Sequence, residues 1–230
     1  MSASADTRRP LQSRRPDIAG GRAGRVRITD RLTVSATMTP DAMAEGLAFC
    51  AERYERLYRT HWLVPPDVLF VVKRGERIVS TAALELGSKR PEIDTEKYFL
   101  LTPGMRAFID RHRQKVVEFG RFVSDDWAGT RAVVRASMAF GRQTGAEFFF
   151  AIAPPSVYLH MREDFDVPLC AVDVPVNKSV VQNDASWSSP PVNYFDSDVP
   201  PSVIFGIAPF ADVAHAKLDA EFGAPPSFFV

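Results

Sequence analysis

The sequence predicts a single mixed α/β domain, and three observations carry that expectation. Two amphipathic helical patterns, over 39–62 and 129–144, alternate with short β-rich runs; one of those runs, Glu147 to Ala153, is almost wholly apolar; and Pro-rich breaks separate the elements. With 230 residues, 46% of them apolar and 24% charged, the chain is long enough for one good core, and this composition excludes wholesale disorder.

Residues 1–25 stand apart. They hold Arg8, Arg9, Arg14, Arg15, Arg22 and Arg25 against Asp6 and Asp17, with almost no large apolar side chain, so they read as a disordered basic tail. Thr39 then suits a helix N-cap, Pro40 the first helical position, and Met43, Leu47, Cys50, Tyr54, Leu57 and His61 recur at helical spacing to about Trp62. Pro65-Pro66 breaks the chain. Val68–Lys73 and Arg77–Leu86 flank Arg74-Gly75-Glu76 as a hairpin, and a short helix fits Pro103–His112. Lys115–Ser124 is a strand interrupted by Gly120, and the second long helix follows from Gly129. Next come the apolar strand to Ala153, a short helix over Ser156–Glu163 and a β run over Leu169–Val176. Residues 177–202 read as a long polar loop, Val203–Ile207 as a strand, and Phe210, Val213, Ala214, Leu218 and Phe222 as a last helix.

Charge and cysteine content narrow the function classes. Lys and Arg total 28, as do Asp and Glu, so the basic surplus of a dedicated nucleic-acid binder is missing. The tail carries +4, which leaves −4 on the remainder. The longest apolar run, Phe148–Pro155, is far shorter than the roughly 20 residues that span a bilayer, so neither a transmembrane segment nor a signal peptide is expected. Two cysteines, Cys50 and Cys170, suit a reduced compartment, and a cytoplasmic location is the expectation. No phosphate-loop, dinucleotide or nucleophile-elbow motif occurs, and His61, His112, His160 and His215 lack metal-site spacing, so no metal is expected.

What remains is the passage Val116–Gln143. Gly120 lies inside a strand between Glu118 and Arg121, where a ligand can approach the backbone, and the helix beginning near Trp127-Ala128-Gly129-Thr130-Arg131 offers free N–H groups and a dipole to an anion. A strand opened for a ligand and followed by an anion-binding helix end is the layout of a thioester-dependent acyltransferase.

Glu118-Phe119-Gly120-Arg121-Phe122 is similar to the Glu-x-Ser-Arg-Phe strand of the acyl-homoserine-lactone (autoinducer) synthases, a branch of the GNAT acyltransferases, with Gly120 in the place of their serine. Arg53 through Trp62 resembles their Arg- and aromatic-rich first helix, and Phe148–Glu163 their next strand and helix. Other segments resemble the thermostable-hemolysin family: Val64-Pro65-Pro66-Asp67-Val68-Leu69, Thr95-Glu96-Lys97-Tyr98-Phe99, Val117-Glu118-Phe119-Gly120, and Trp187 to Val203. The resemblance implies a GNAT-like mixed, mostly antiparallel sheet flanked by helices with splayed central strands, over residues 26–180, with 181–230 packing on it.

The resemblance further implies an N-acyltransferase that uses acyl-CoA or acyl-carrier-protein as co-substrate, with no permanent cofactor, and a small-molecule amine as acceptor. A carrier protein is a candidate partner and nucleic acid is not. The alternative is a non-enzymatic, hemolysin-like lipid- or membrane-binding protein of the same fold. Glu118 is the expected general base, Arg121 a phosphate ligand or an anchor for the first helix, and Tyr158 the acid for the leaving thiolate. Phe122 and Val123 would supply N–H groups to the thioester oxyanion, and Gly129, Thr130 and Arg131 would seat the pantetheine phosphate. Tyr54, Tyr58 and Trp62 would wall a substrate pocket. Trp187, Tyr194 and Phe195, aromatics in a polar loop, would lid the cleft or pack on a second copy of the chain.

Overall fold

A computed structural model describes residues 32–165 and 169–207. The expected tail and the last helix lie outside the described residues. The elements run β1 (Leu32–Thr37), α1 (Pro40–Tyr58), β2 (Val68–Arg74), β3 (Arg77–Leu86), α2 (Asp94–Tyr98), α3 (Pro103–His112), β4 (Val116–Ser124), α4 (Trp127–Gln143), β5 (Phe148–Ala153), α5 (Pro155–Phe165), β6 (Leu169–Val172), α6 (Lys178–Asn183), α7 (Val192–Phe195) and β7 (Ser202–Ile207). The strands form one seven-stranded sheet in the order β1-β2-β3-β4-β5-β7-β6, in which only β4 and β5 are parallel neighbours.

The hairpin strands are apolar on both faces because both faces are covered. Val68, Phe70 and Val72 of β2 pack with Val133, Val134 and Phe140 of α4, while Leu69 and Val71 meet Met43 of α1 on the other side. Gly46 lets α1 approach: a Cβ there would stand 2.7 Å from Val71 Cγ2 and 2.8 Å from Leu69 Cδ2. A further core joins Ile93, Tyr98, Ile109, Phe150, Trp187, Tyr194, Phe195 and Val203.

Three features differ from the sequence expectation. The first helix stops at Tyr58, where Arg59 turns left-handed at φ 60°, so His61 and Trp62 leave it. Residues 59–63 instead zip against 186–189: Leu63 N donates to the Ser186 carbonyl, Ser188 N to the His61 carbonyl and Thr60 Oγ1 to the Ser189 carbonyl. The polar stretch 177–202 contains two short helices, and Trp187, Tyr194 and Phe195 are buried in this chain's own core. Finally, β1 and α2 form in stretches with no clear periodicity, β1 by pairing with β2 across six residues. Among the described residues no helix is long and apolar enough to cross a membrane.

Candidate active site

The central strands open where the sequence places Gly120. Parallel pairing of β4 with β5 ends at Phe119 and Ala151, although β4 runs on to Ser124 and β5 to Ala153. Beyond that point the β5-facing edge of residues 120–124 has no strand partner. On its other edge β4 is bulged: Gly120 pairs with Ala83 and Val123 with Thr81, so Arg121 and Phe122 oppose the single Ala82. Arg121 adopts φ 50°, a left-handed conformation that costs a non-glycine residue roughly 1–2 kcal/mol. The thiol of Cys50, 3.6 Å away, donates to the Arg121 carbonyl. Burial pushes that thiol up to about 12, so Cys50 holds the bulge rather than acting as a nucleophile.

Two cavities meet at this break, and the ionisable side chains gather in the smaller. The larger, of about 130 Å³, is walled by Phe119, Phe122, Met138, Phe149, Tyr158 and Met161. Its size is comparable with the ~150 Å³ apolar cavity that takes up a benzene ring. The smaller, of about 30 Å³, is lined by Glu85, Asp94, Glu118 and Arg121 among aromatic walls that include Trp62, Tyr98 and Trp187. Tyr54, Phe119, Gly120, Arg121, Ile152 and Tyr194 line both. A Cβ built on Gly120 meets nothing within 4 Å, so the missing side chain leaves the junction open.

The carboxylates of the smaller cavity are held away from bulk water. Glu118 is 3% exposed, and its two oxygens accept from the backbone N–H (3.0 Å) and hydroxyl (2.7 Å) of Thr95. Burial, with Asp94 and Glu85 adding like charge, holds its proton affinity well above the ordinary carboxylate range, against the two Thr95 bonds. Glu85 sits directly across from Glu118 in the sheet and is pushed up to about 7 by burial and by Asp94, with Arg90 and Arg121 opposing. Asp94 is raised too, chiefly by burial, with Arg121, Lys97 and Arg90 acting against it. Burial lowers Arg121, and Glu85 and Asp94 hold it up.

The surroundings fix this cluster. Asp67 accepts from Arg90 Nε (2.9 Å) and from the Leu86 N–H (2.8 Å), which aims Arg90 at Glu85 at 3.5 Å. Tyr98 donates to Asp184 and accepts from Trp187 Nε1 at 2.8 Å, while Lys97 reaches Asp184 at 2.6 Å. These bonds fasten the 184–187 segment over α2, and Trp187 lies 4.0 Å from the Trp62 ring centre to centre.

The residues expected from sequence are brought together in part. Glu118 and Arg121 line the polar cavity, Phe122 and Tyr158 the apolar one, Tyr54 both, Tyr58 the apolar one and Trp62 the polar one. Tyr158 donates to the Leu169 carbonyl at 3.2 Å and accepts from Arg162 at 3.3 Å. Val123 pairs with Thr81, and its carbonyl accepts from Ser80 Oγ at 3.0 Å. Gly129, Thr130 and Arg131 line neither cavity. The Gly129 N–H donates to Asp126 Oδ1 at 2.7 Å, Thr130 Oγ1 to the Asp126 carbonyl at 3.1 Å, and Arg131 lies over Trp127. Sequence reasoning missed Glu85, Asp94, Thr95 and Tyr98. The available signal was Glu85, the lone acid of the strand Arg77–Leu86, and the Asp-Thr-Glu opening of α2.

Sheet order, the single parallel pair and its splay define the class: the chain has a GNAT-like mixed α/β fold. Particular structures that share it include the AHL synthase LasI, with a TM-score of 0.53 and 8% identity, covering 87% of this chain and 100% of that one. FeeM, an N-acyl amino acid synthase from uncultured soil microbes, superimposes with a TM-score of 0.50 and 10% identity over 78% of this chain and 92% of its own. The CoA-dependent acyl-homoserine lactone synthase BjaI, solved with SAM and isopentyl-CoA, gives a TM-score of 0.50 and 14% identity over 82% and 90%. No protein-family model matches the chain, and no curated protein matches its sequence.

Proposed function

We propose that the protein is an N-acyltransferase that moves an acyl group from an acyl-CoA or acyl-carrier-protein thioester to the amine of a small molecule. The observation that carries this reading is the meeting of an apolar cavity and a carboxylate-lined cavity at the open, bulged backbone around Gly120. The acyl tail lies against Phe119, Phe122 and Met138. The thioester carbonyl sits at the splay, where backbone N–H groups face no strand. The acceptor enters from the acidic side, and the relatives named above, two synthases of acyl-homoserine lactones and one of N-acyl amino acids, are consistent with that division.

An ammonium group cannot attack, so one proton must leave before the N–C bond forms. Glu118, with its raised proton affinity, takes it. The amine nitrogen then adds to the carbonyl carbon, the C–S bond breaks, and the second nitrogen proton ends on the departing thiolate. The Tyr158 hydroxyl, on the apolar side, relays it, giving its own proton to the thiolate and taking the nitrogen's in exchange after turning from the Leu169 carbonyl. Arg121 balances the carboxylates and anchors the bulge. Glu118→Gln removes the proton acceptor while keeping the volume. Turnover should fall by about 10²–10⁴-fold, and the acidic limb of the pH–rate profile should disappear. A Gln variant with the wild-type rate and profile would refute the role of Glu118.

A further inference from the structure

The smaller cavity measures about 30 Å³, room for about two water molecules at ~10–15 Å³ apiece. Its charges already answer one another. Glu85 meets Arg90 and Arg121 at 3.5 Å each, Asp94 is faced by Arg121, Lys97 and Arg90, and both Glu118 oxygens accept from Thr95. What stays open is hydrogen bonding rather than charge. Arg121 is 4% exposed, and its buried Nη1 has no hydrogen-bond partner among the described residues. The buried Nε1 of Trp62, over whose ring that guanidinium lies at 5.3 Å, has none there either. Each Glu118 oxygen, holding one bond from Thr95, keeps acceptor capacity. Two unmet donors and a base around a space of this size call for a small neutral molecule that both accepts and donates, which is the chemistry of water.

We propose that the protein has a second activity, hydrolysis of the acyl thioester by a water seated in this cavity between Trp62 Nε1 and Glu118. The inference rests on the acyl-transfer reading for the seat of the thioester. One lone pair of the water oxygen is held by Trp62, one hydrogen is given to Glu118, and the other lone pair is left for the carbonyl carbon at Gly120, which lines both cavities. Arg121 Nη1 holds a companion water. As the oxygen adds to the carbonyl carbon, Glu118 takes one proton; the C–S bond then breaks, its electron pair leaves with sulfur, and the second water proton reaches the thiolate through Tyr158. The products are a carboxylate and a free thiol, and Glu118 returns its proton to solvent. An amine that seats its nitrogen at Glu118 displaces this water, so transfer and hydrolysis exclude one another.

The full chain is assayed with hexanoyl-CoA and, separately, with a hexanoyl-carrier protein, first without any amine. Thiol and hexanoate should appear together at least about 10²-fold faster than without protein from at least one donor. Glu118→Gln should lower that rate about 10²–10⁴-fold. Trp62→Phe keeps the ring and loses the N–H; it should lower kcat for hydrolysis roughly two- to tenfold and leave the KM for the thioester unchanged, because Trp62 does not line the apolar cavity. Melting checks the fold of both variants. Hydrolysis no faster than without protein from either donor, or either variant at the wild-type rate, would overturn the proposal. With amines added, hexanoate should fall as amide rises. Amide formation without hydrolysis in the amine's absence would sink this inference and leave acyl transfer standing, whereas Glu118-dependent hydrolysis that persists with every amine and yields no amide would remove acyl transfer and leave the hydrolysis.

Discussion

Glu85 makes the electrostatics of the site measurable without any substrate. Its carboxyl is raised from 4.5 to about 7 by burial first and by Asp94 second, against Arg90 and Arg121, with Asp67 adding to the rise. Between these two values the unfolded chain releases this proton and the folded chain keeps it. The contribution to stability is therefore complete below about 4.5 and is lost as the pH rises through about 7. A shift of this size corresponds to about 3 kcal/mol. Glu85→Gln fixes the neutral form. The variant and the wild type should melt together near pH 4.5, and the variant should be the more stable above pH 7. For a chain of this length the difference is roughly 6–12 °C in Tm. Scanning calorimetry of both proteins across that range measures it. A Tm difference that does not change with pH, or that favours the wild type at high pH, would refute the claim that Glu85 is buried among like charges.

Other perturbations separate the remaining parts of the site. Gly120→Val places its side chain in open space at the junction, so the melting temperature should hold while thioester turnover drops at least about 10²-fold, as for a displaced reacting centre; retained turnover would show that the cavities do not communicate there. Tyr98→Phe leaves Trp187 Nε1 and Asp184 short of a partner, which should cost about 1–3 kcal/mol in denaturant unfolding and raise the KM for the amine while leaving that for the thioester. Tyr158→Phe should slow thiol release and leave the acidic limb of the pH–rate profile, assigned to Glu118, in place.

The parts of the fold written in local periodicity were legible from the sequence: the hairpin at 68–86, helices α3 and α4, and the strand to Ala153 all fall within a few residues of their observed bounds. The end of α1 was not, because Tyr54 and Tyr58 continue to Trp62 at helical spacing, and what ends the helix is tertiary, the pairing of residues 59–63 with a segment over 120 residues away. The aromatics of the 177–202 stretch looked unburied for the same reason. Their cover is α2 and β5, and no local pattern announces it. At the site, Glu118 and Arg121 stood out beside a strand glycine. Asp94 and Thr95 reach Glu118 only because α2 folds back beneath β4, and Glu85 meets it only through the β3–β4 register.

Acyl transfer is tested most directly by following both products at once. The full chain is incubated with an acyl thioester labelled at its carbonyl carbon and a panel of amines, and free thiol and labelled amide are quantified together by absorbance and mass spectrometry. Transfer at the Gly120 junction predicts one labelled amide for each thiol released, with both lost in Glu118→Gln. Thiol release that yields only the labelled carboxylic acid, or a thioester left intact with every amine, would contradict it.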